Sequence, residues 1–481
     1  MIEEIEFQNF RNLNGKYSLN QKLNVIFGKN NSGKTNLLEG IRLAFSLITN
    51  EYFKVRKSDF YNSDDSNPII IKVKLSSNDI PSLNYFDSEG KKCGFILIVR
   101  KTQTGKYIKV IKLYNDADVD YEILREEEKI PNIYMIPLVR IDDLYSDWLS
   151  VGISKFIESE DKYSALMVES KERIKSSMIS KVDLFKKFCE KFNQNFDIEL
   201  TEPKITDEKV YIVNGDKEHN YSIGSGYKSI ANIILNTMDE KHNIILIDEI
   251  ENHLHPALLR NLLREIKQFN DNVQIIATTH SPIVINELMN EELIDISGAK
   301  LTNLSDLNKR KISKFLHPGR CEIIFGDNIV LVEGITEELL LKNYIMQRQK
   351  NWTIVNVAGI MFEPYIELAV LLNKKVIVIS DTDILLSGQL TPTERYKNLE
   401  KYCNDRNIKL ISTYNTLESD LYREGLIPNE VCCLLEESSH NEIFVAKNGK
   451  KTVIAEKLID SDVDLSNWHI IQEIENEFNS N

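Results

Sequence analysis

The stretch Gly28-Lys29-Asn30-Asn31-Ser32-Gly33-Lys34-Thr35 constrains this chain more than any other. It fits the pattern G-x-x-x-x-G-K-[ST] at every fixed position. Residues 22–27, Lys-Leu-Asn-Val-Ile-Phe, are short, apolar and β-rich, which predicts a strand ahead of the loop. Residues 36–45 repeat apolar side chains at helical spacing, which predicts a helix behind it. Glycines let backbone N–H groups turn in on phosphates, and the helix N-terminus adds a fixed positive end. The pattern assigns Lys34 to the β- and γ-phosphates and the Thr35 hydroxyl to a Mg²⁺ position. Gly28, Asn30, Asn31, Ser32, Gly33 and Asn36 complete the phosphate cradle. Such a chain binds a nucleoside triphosphate on a parallel α/β sheet.

The other half of that site lies far along the chain. Asn243-Ile244-Ile245-Leu246-Ile247 is an apolar run ending in Asp248-Glu249. A buried parallel strand stopping there delivers both acids to the sheet edge. Asp248 is expected to hold Mg²⁺ through water, and Glu249 to polarise the attacking water. Between the halves, residues 68–76, 94–101 and 106–113 read as strands of an antiparallel sheet layered on the nucleotide core. Residues 2–10 alternate apolar and polar as an edge strand does, and a turn is expected around Asn14-Gly15. From about Asp142 to Asn195 the pattern is helical and densely charged, read as a surface or partner helix.

A second acidic centre follows Pro318-Gly319. Residues 327–334 read as a strand ending in Glu333-Gly334, with a helix after it at 336–347 carrying Glu337 in its first turn. Residues 376–383 read as another buried strand, ending in Asp381-Thr382-Asp383. Two residues apart on an extended segment, Asp381 and Asp383 are expected to point the same way. Hard oxygen ligands converging on one strand edge suit one or two Mg²⁺ or Mn²⁺ ions, which can clamp a phosphodiester displacement. Of the net charge of −14, −10 lies from Arg320 onward, consistent with such a carboxylate cluster and unlike a nucleic-acid coat. No run of 18 apolar residues predicts a membrane span, and the acidic, alternating N-terminus is unlike a signal peptide. The six cysteines form no C-x-x-C pair, as in a reducing cytoplasm.

The motifs carry a family resemblance. Ser225-Gly226, 22 residues before Asp248, resembles a signature turn, and His280, ending the apolar run 272–280, resembles a switch histidine. With the phosphate loop they resemble ABC-type ATPase heads of the structural-maintenance and recombination-repair group. The usual leucine-serine opening is missing, and Lys228 stands where many members carry glutamine. The resemblance implies ATP, a split head, and a dimer in which Ser225 and Gly226 contact nucleotide on a second head. Val332-Glu333-Gly334 with Glu337, and Ser380-Asp381-Thr382-Asp383, resemble the Toprim domain of topoisomerases, primases and certain nucleases.

A head followed by Toprim is similar to the OLD (overcoming-lysogenization-defect) nucleases. By that resemblance Thr416-Leu417-Glu418-Ser419-Asp420 supplies the metal ligands Glu418 and Asp420. Lys451, with Lys450 adjacent, stands where the family tends to have a charge-stabilising lysine. The expected fold is α/β. It comprises an ABC-type head (1–145 and 201–318), a helical dimerisation insertion (146–200) and a Toprim domain with a parallel central sheet (319–481). The expected function is an ATP-regulated, divalent-metal-dependent DNA endonuclease or nickase of bacterial anti-phage defence. Its expected partners are DNA, a second copy, and a helicase-like protein or reverse transcriptase encoded beside it. The alternative is a non-cleaving ATPase scaffold that binds or releases an effector.

Overall fold

The computed structural model describes residues 1–136, 225–299 and 320–479 apart from short gaps. Between 137 and 224 it describes two two-residue strands and three single positions, so all but those three positions of the insertion expected at 146–200 lie outside the described residues. The chain divides into two compact units, Met1–Lys300 and Leu301–Asn481.

The first unit holds two sheets. One is antiparallel, made of β1 (Ile2–Phe10), β2 (Leu13–Ser18), β4 (Ile69–Leu75), β5 (Asn84–Asp87), β6 (Gly90–Lys101) and β7 (Tyr107–Lys112). Its order is β2-β1-β4-β6-β5, with β7 also on β6. β1 is therefore not the edge strand its alternation suggests; it pairs with β2 on one side and β4 on the other. Alternation reports which face of a strand is buried and is silent about its neighbours. The turn into β2 falls at Arg11-Asn12, with Arg11 at φ 48° and Phe10 opposite Leu13. Gly15 sits inside β2, opposite Phe7, because three buried side chains, Phe7, Phe10 and Leu13, carry the pairing up to that turn.

The other sheet is parallel, in the order β13-β3-β12-β11-β8. Its strands are β3 (Leu23–Phe27), β8 (Ile133–Ile136), β11 (Ile244–Ile247), β12 (Gln274–Thr279) and β13 (Leu293–Asp295). Two further short strands, β9 (Lys204–Ile205) and β10 (Val210–Tyr211), pair with each other. Helix α1 (Lys34–Phe45) shares one core with both larger sheets. Leu37, Leu38, Ile41 and Phe45 join Phe7, Phe10 and Phe95 of the antiparallel sheet and Ile26, Leu246 and Ile276 of the parallel one. The Phe45 and Phe95 rings meet edge to face at 5.1 Å. At the start of β12, the Gln274 amide donates to the carbonyls of Ile2 (2.7 Å) and Asn20 (2.6 Å) and accepts from the Ile2 N–H (2.8 Å). A buried amide with these bonds ties the two sheets at the end opposite the nucleotide loop. Helices α2 (Ser225–Met238), α3 (Pro256–Gln268) and α4 (Pro282–Glu287) complete the described part of the unit.

The described part of the second unit opens with a short helix, α5 (Glu322–Phe325), and is built on a four-stranded parallel sheet in the order β15-β14-β16-β17. The strands are β14 (Asn328–Val332), β15 (Thr353–Asn356), β16 (Lys375–Ser380) and β17 (Ile408–Ser412). The connecting helices are α6 (Ile335–Arg348), α7 (Phe362–Leu371) and α8 (Glu394–Tyr402). Beyond β17 come α9 (Leu417–Arg423), α10 (Asn429–Cys432), the hairpin β18 (Leu435–Glu437) and β19 (Phe444–Ala446), α11 (Lys451–Asp460) and α12 (His469–Asn479). Trp468 is fully buried in a core with Val330, Leu340, Ile379 and Ile454. Strand β16 stops at Ser380, and Asp383 has φ 50°, so the Asp-x-Asp segment is a turn rather than the expected extended run. Among the described residues no helix is long and apolar enough to cross a membrane.

Candidate functional site

In the first unit the strand–loop–helix order puts the phosphate loop at the carboxyl ends of β3, β11 and β12. Gly33 has φ 109°, and a Cβ there would lie 2.7 Å from the Asn12 amide, so glycine is required. The Asn12 amide donates to the Ser32 carbonyl (3.0 Å), and Asn36 donates to Asn12 (2.7 Å). Arg11 binds Asn36 (2.8 Å) and pairs with Asp59 (2.9 Å). The antiparallel sheet thus braces the loop from outside. Lys34 turns its ammonium onto the carbonyls of Gly28 (2.8 Å) and Lys29 (2.5 Å). Burial lowers its pKa, opposed by the carboxylates of Glu249, Glu251 and Asp248. Ser32 Oγ is buried without a hydrogen-bond partner among the described residues, which suits a phosphate oxygen.

Asp248 is brought to the same place. Thr35 donates to one of its oxygens (2.9 Å) and Thr278, on β12, to the other (2.6 Å). A carboxylate beside the loop threonine is a donor set that suits a divalent cation bound with nucleotide. Glu249, at φ 50°, hangs its backbone N–H on Thr278 (2.8 Å) and leaves its side chain half-exposed. His280 Nδ1 stands 3.1 Å from Glu251 and 3.8 Å from Glu249.

Glu251 is the residue the sequence reading missed. Its carboxylate accepts from the His280 N–H (2.8 Å) and the Thr279 hydroxyl (2.7 Å), clamping the end of β12. Its only signal was a third acid in Asp248-Glu249-Ile250-Glu251. Gly226, in the first turn of α2, packs on the segment after these acids. A Cβ there would meet the His253 carbonyl at 2.8 Å. The residues just before Ser225 lie outside the described ones.

In the second unit the carboxyl ends of β14 and β16 carry the acids. Asp381 accepts from the Thr413 hydroxyl at 2.6 Å. Its pKa is well above the ordinary carboxylate value: burial is the main cause, the Thr413 bond opposes it, and Glu337, Glu333 and Asp383 add to it. Glu337 is also raised, by burial first and then by Glu333 and Glu418. Burial lowers the Lys451 ammonium, but Glu418, Asp381, Glu337 and Glu333 together outweigh it and the pKa is raised. These five side chains therefore feel one another's charge. Glu418 is 1% exposed, its Oε1 makes no hydrogen bond among the described residues, and Lys451 Nζ is 3.8 Å away. Lys451 opens α11, and Lys450 precedes it as the cap.

Orphaned buried carboxylate oxygen and raised acids are a donor set that suits a hard cation. The cage is not closed, since among the described residues no three His, Cys, Asp or Glu converge as a ready metal site. Arg395, on α8, donates to Glu333 and reaches Ser380 Oγ at 3.5 Å.

Asp420 is not brought into this group. Its oxygens accept from the Tyr414 N–H (2.9 Å) and the Trp468 indole (2.6 Å), and it lines a separate cavity. Burial raises its pKa, while those two bonds and His469 oppose the rise.

Three family models match the chain: an AAA ATPase domain at residues 1–136, an AAA domain described as a putative AbiEii toxin of a type IV toxin–antitoxin system at 192–286, and an overcoming-lysogenization-defect-protein-like TOPRIM domain at 324–383. Over 452 residues the chain is 23% identical to "Endonuclease GajA" of Bacillus cereus, covering 75% of this chain and 64% of that protein. It thus spans less than two thirds of that relative's length. It is 25% identical to an "ATP/GTP phosphatase" of Helicobacter pylori, covering 63% of this chain and 91% of the other. A crystal structure of an SMC head bound to the C-winged helix domain of ScpA aligns with a TM-score of 0.44 at 15% identity, covering 61% of this chain and 93% of that one.

Proposed function

We propose that this chain, which carries an ATPase domain and an OLD-like Toprim domain, is an ATP-regulated, divalent-metal-dependent DNA endonuclease or nickase of anti-phage defence. The observation that carries the reading is that Glu333 and Asp381 follow the ends of the adjacent parallel strands β14 and β16, while buried Glu418 keeps an oxygen without a hydrogen-bond partner among the described residues, 3.8 Å from Lys451 Nζ. The similarity to a protein named an endonuclease supports cutting, and that to a named ATP/GTP phosphatase supports hydrolysis at the head.

In the Toprim domain, Glu333, Glu337, Asp381, Asp383 and Glu418 would hold the cation, Mg²⁺ or Mn²⁺. When bound, the ion polarises the scissile phosphate and activates water. Asp381 and Glu337, held toward the protonated form by burial, would need to be ionised to hold the cation. Lys451 offsets charge that builds on the phosphate as it is attacked. In the head, Lys34 exchanges the carbonyls of Gly28 and Lys29 for the ATP phosphates. Thr35 and Asp248 face the accompanying cation. Glu249 orients water, and His280, steadied by Glu251, registers the γ-phosphate. Ser225 and Gly226 serve nucleotide on a second copy of the head, and a protein encoded nearby is the expected further partner.

Supercoiled plasmid incubated with Mg²⁺ or Mn²⁺, with and without ATP, tests this. Nicking or linearisation by the wild type, lost in an Asp381→Ala, Asp383→Ala double variant, is the expected outcome. A second reading, the non-cleaving ATPase scaffold, is favoured by Arg395 engaging Glu333 and by the unclosed cage. ATP hydrolysis without cleavage in either metal would select it.

A further inference from the structure

We propose that the cavity beside the Asp381-Thr382-Asp383 turn receives an extruded nucleobase bearing an exocyclic amino group. The base would belong to a nucleotide flanking the phosphate presented to the acids, so the inference rests on the nuclease reading. The cavity, about 610 Å³, opens where the loops after β16 and β17 meet. Thr382 contributes to its wall, and its hydroxyl accepts from the Asn415 N–H at 3.1 Å. The Asp383 N–H in turn donates to the Asn415 carbonyl at 3.0 Å. The cavity and the Asp-x-Asp turn therefore share a backbone.

Two features identify the occupant. Tyr414 is 44% exposed, and the Arg423 guanidinium lies 4.1 Å from its ring centroid. This pair offers a flat, cationic-aromatic face, the kind of platform on which bases stack regardless of sequence. The same cavity is also lined by the acids Asp420 and Glu424. His469 Nδ1 stands 3.5 Å from Asp420 and 3.6 Å from Glu424 and makes no hydrogen bond among the described residues. Asp420 is taken up by Tyr414 and Trp468, whereas Glu424 is half-exposed at the wall.

Carboxylates lining the cavity offset the pull of Arg423 on a phosphate. They accept from the amino groups of cytosine, adenine or guanine, which thymine lacks. A neutral ring with N–H donors at its edge and a π face fits both features. Enzymes that read a base outside the stack combine these same two contacts.

The test uses the full chain with Ca²⁺ in place of Mg²⁺ and labelled oligo-dC, oligo-dA and oligo-dT of equal length. The wild type is expected to bind oligo-dC and oligo-dA about fivefold or more tighter than oligo-dT. Tyr414→Ala should weaken oligo-dC binding by about 5- to 100-fold, and Tyr414→Phe should restore it. Glu424→Ala should erase the preference for oligo-dC while leaving oligo-dT binding unchanged. Equal affinity for the three oligonucleotides, absence of binding, or a Tyr414→Ala variant that binds like the wild type would overturn the proposal. A plasmid assay silent in Mg²⁺ and Mn²⁺ while the base preference persists would instead count against the nuclease reading alone.

Discussion

Asp381 illustrates what a single side chain must reconcile. Folding buries it among like charges, yet a metal centre needs it ionised. Its folded-state pKa is raised, so its stabilising contribution is fully present below the ordinary carboxylate pKa and is lost as pH rises through the folded value. In chelator, Asp381→Asn should therefore melt above the wild type at neutral pH, and the gap should close toward about pH 4. A difference of about 1 kcal/mol would appear as roughly 2–4 °C in a unit of this size. Mg²⁺ should raise the wild-type Tm at neutral pH more than that of the variant; thermal melts at two pH values with and without the ion check both signs. The acids themselves were legible in the sequence because each ends an apolar run. The threonines that hold them, Thr278 and Thr413, were not. A hydroxyl at a strand end acquires its role only when the neighbouring strand brings a carboxylate to it.

At the scale of elements, the strands were the readable part, since buried parallel strands are continuous apolar runs. What failed was inference about neighbours and direction. β1 was assigned to an edge from its alternation, and the Asp-x-Asp segment was read as extended although β16 ends before it. Glu418 and Asp420 read as one ligand pair, but they lie on α9, where two residues subtend roughly 200°. Glu418 accordingly meets Lys451 and Asp420 meets Trp468.

α9 is set in place by Thr416, whose hydroxyl caps the helix through the Ser419 N–H (3.2 Å) and also donates to the Phe444 carbonyl (3.1 Å). Thr416→Ala removes both bonds from a buried position and should cost about 1–2 kcal/mol of stability. Urea unfolding with an unchanged m-value would check it.

Over the whole molecule, the two units each close a core of their own, one around α1 between two sheets and one around Trp468. A fragment comprising Leu301–Asn481 is therefore expected to fold alone, with a cooperative melt and a circular-dichroism spectrum of mixed helix and sheet. ATP should leave that melt unmoved while raising the Tm of the full chain. The gap between Lys34 and Asp248 announced a split head, because both belong to one site only if their strands share a sheet. β3, β12 and β11 are indeed neighbours in it. What the insertion does between them is a separate matter, since a long charged helical pattern specifies no packing partner.

The backbone link between the Asp-x-Asp turn and the loop after β17 bears on how such a centre can be moved or inherited. Asp381 is held by Thr413, Asn415 donates to Thr382, and Asp383 donates to Asn415. The acids and the Thr413–Asn415 loop are thus one part made from two distant stretches of sequence. Grafting the acidic motif alone onto another parallel sheet would transplant the ligands without their mould. Grafting both loops together would carry the geometry with them.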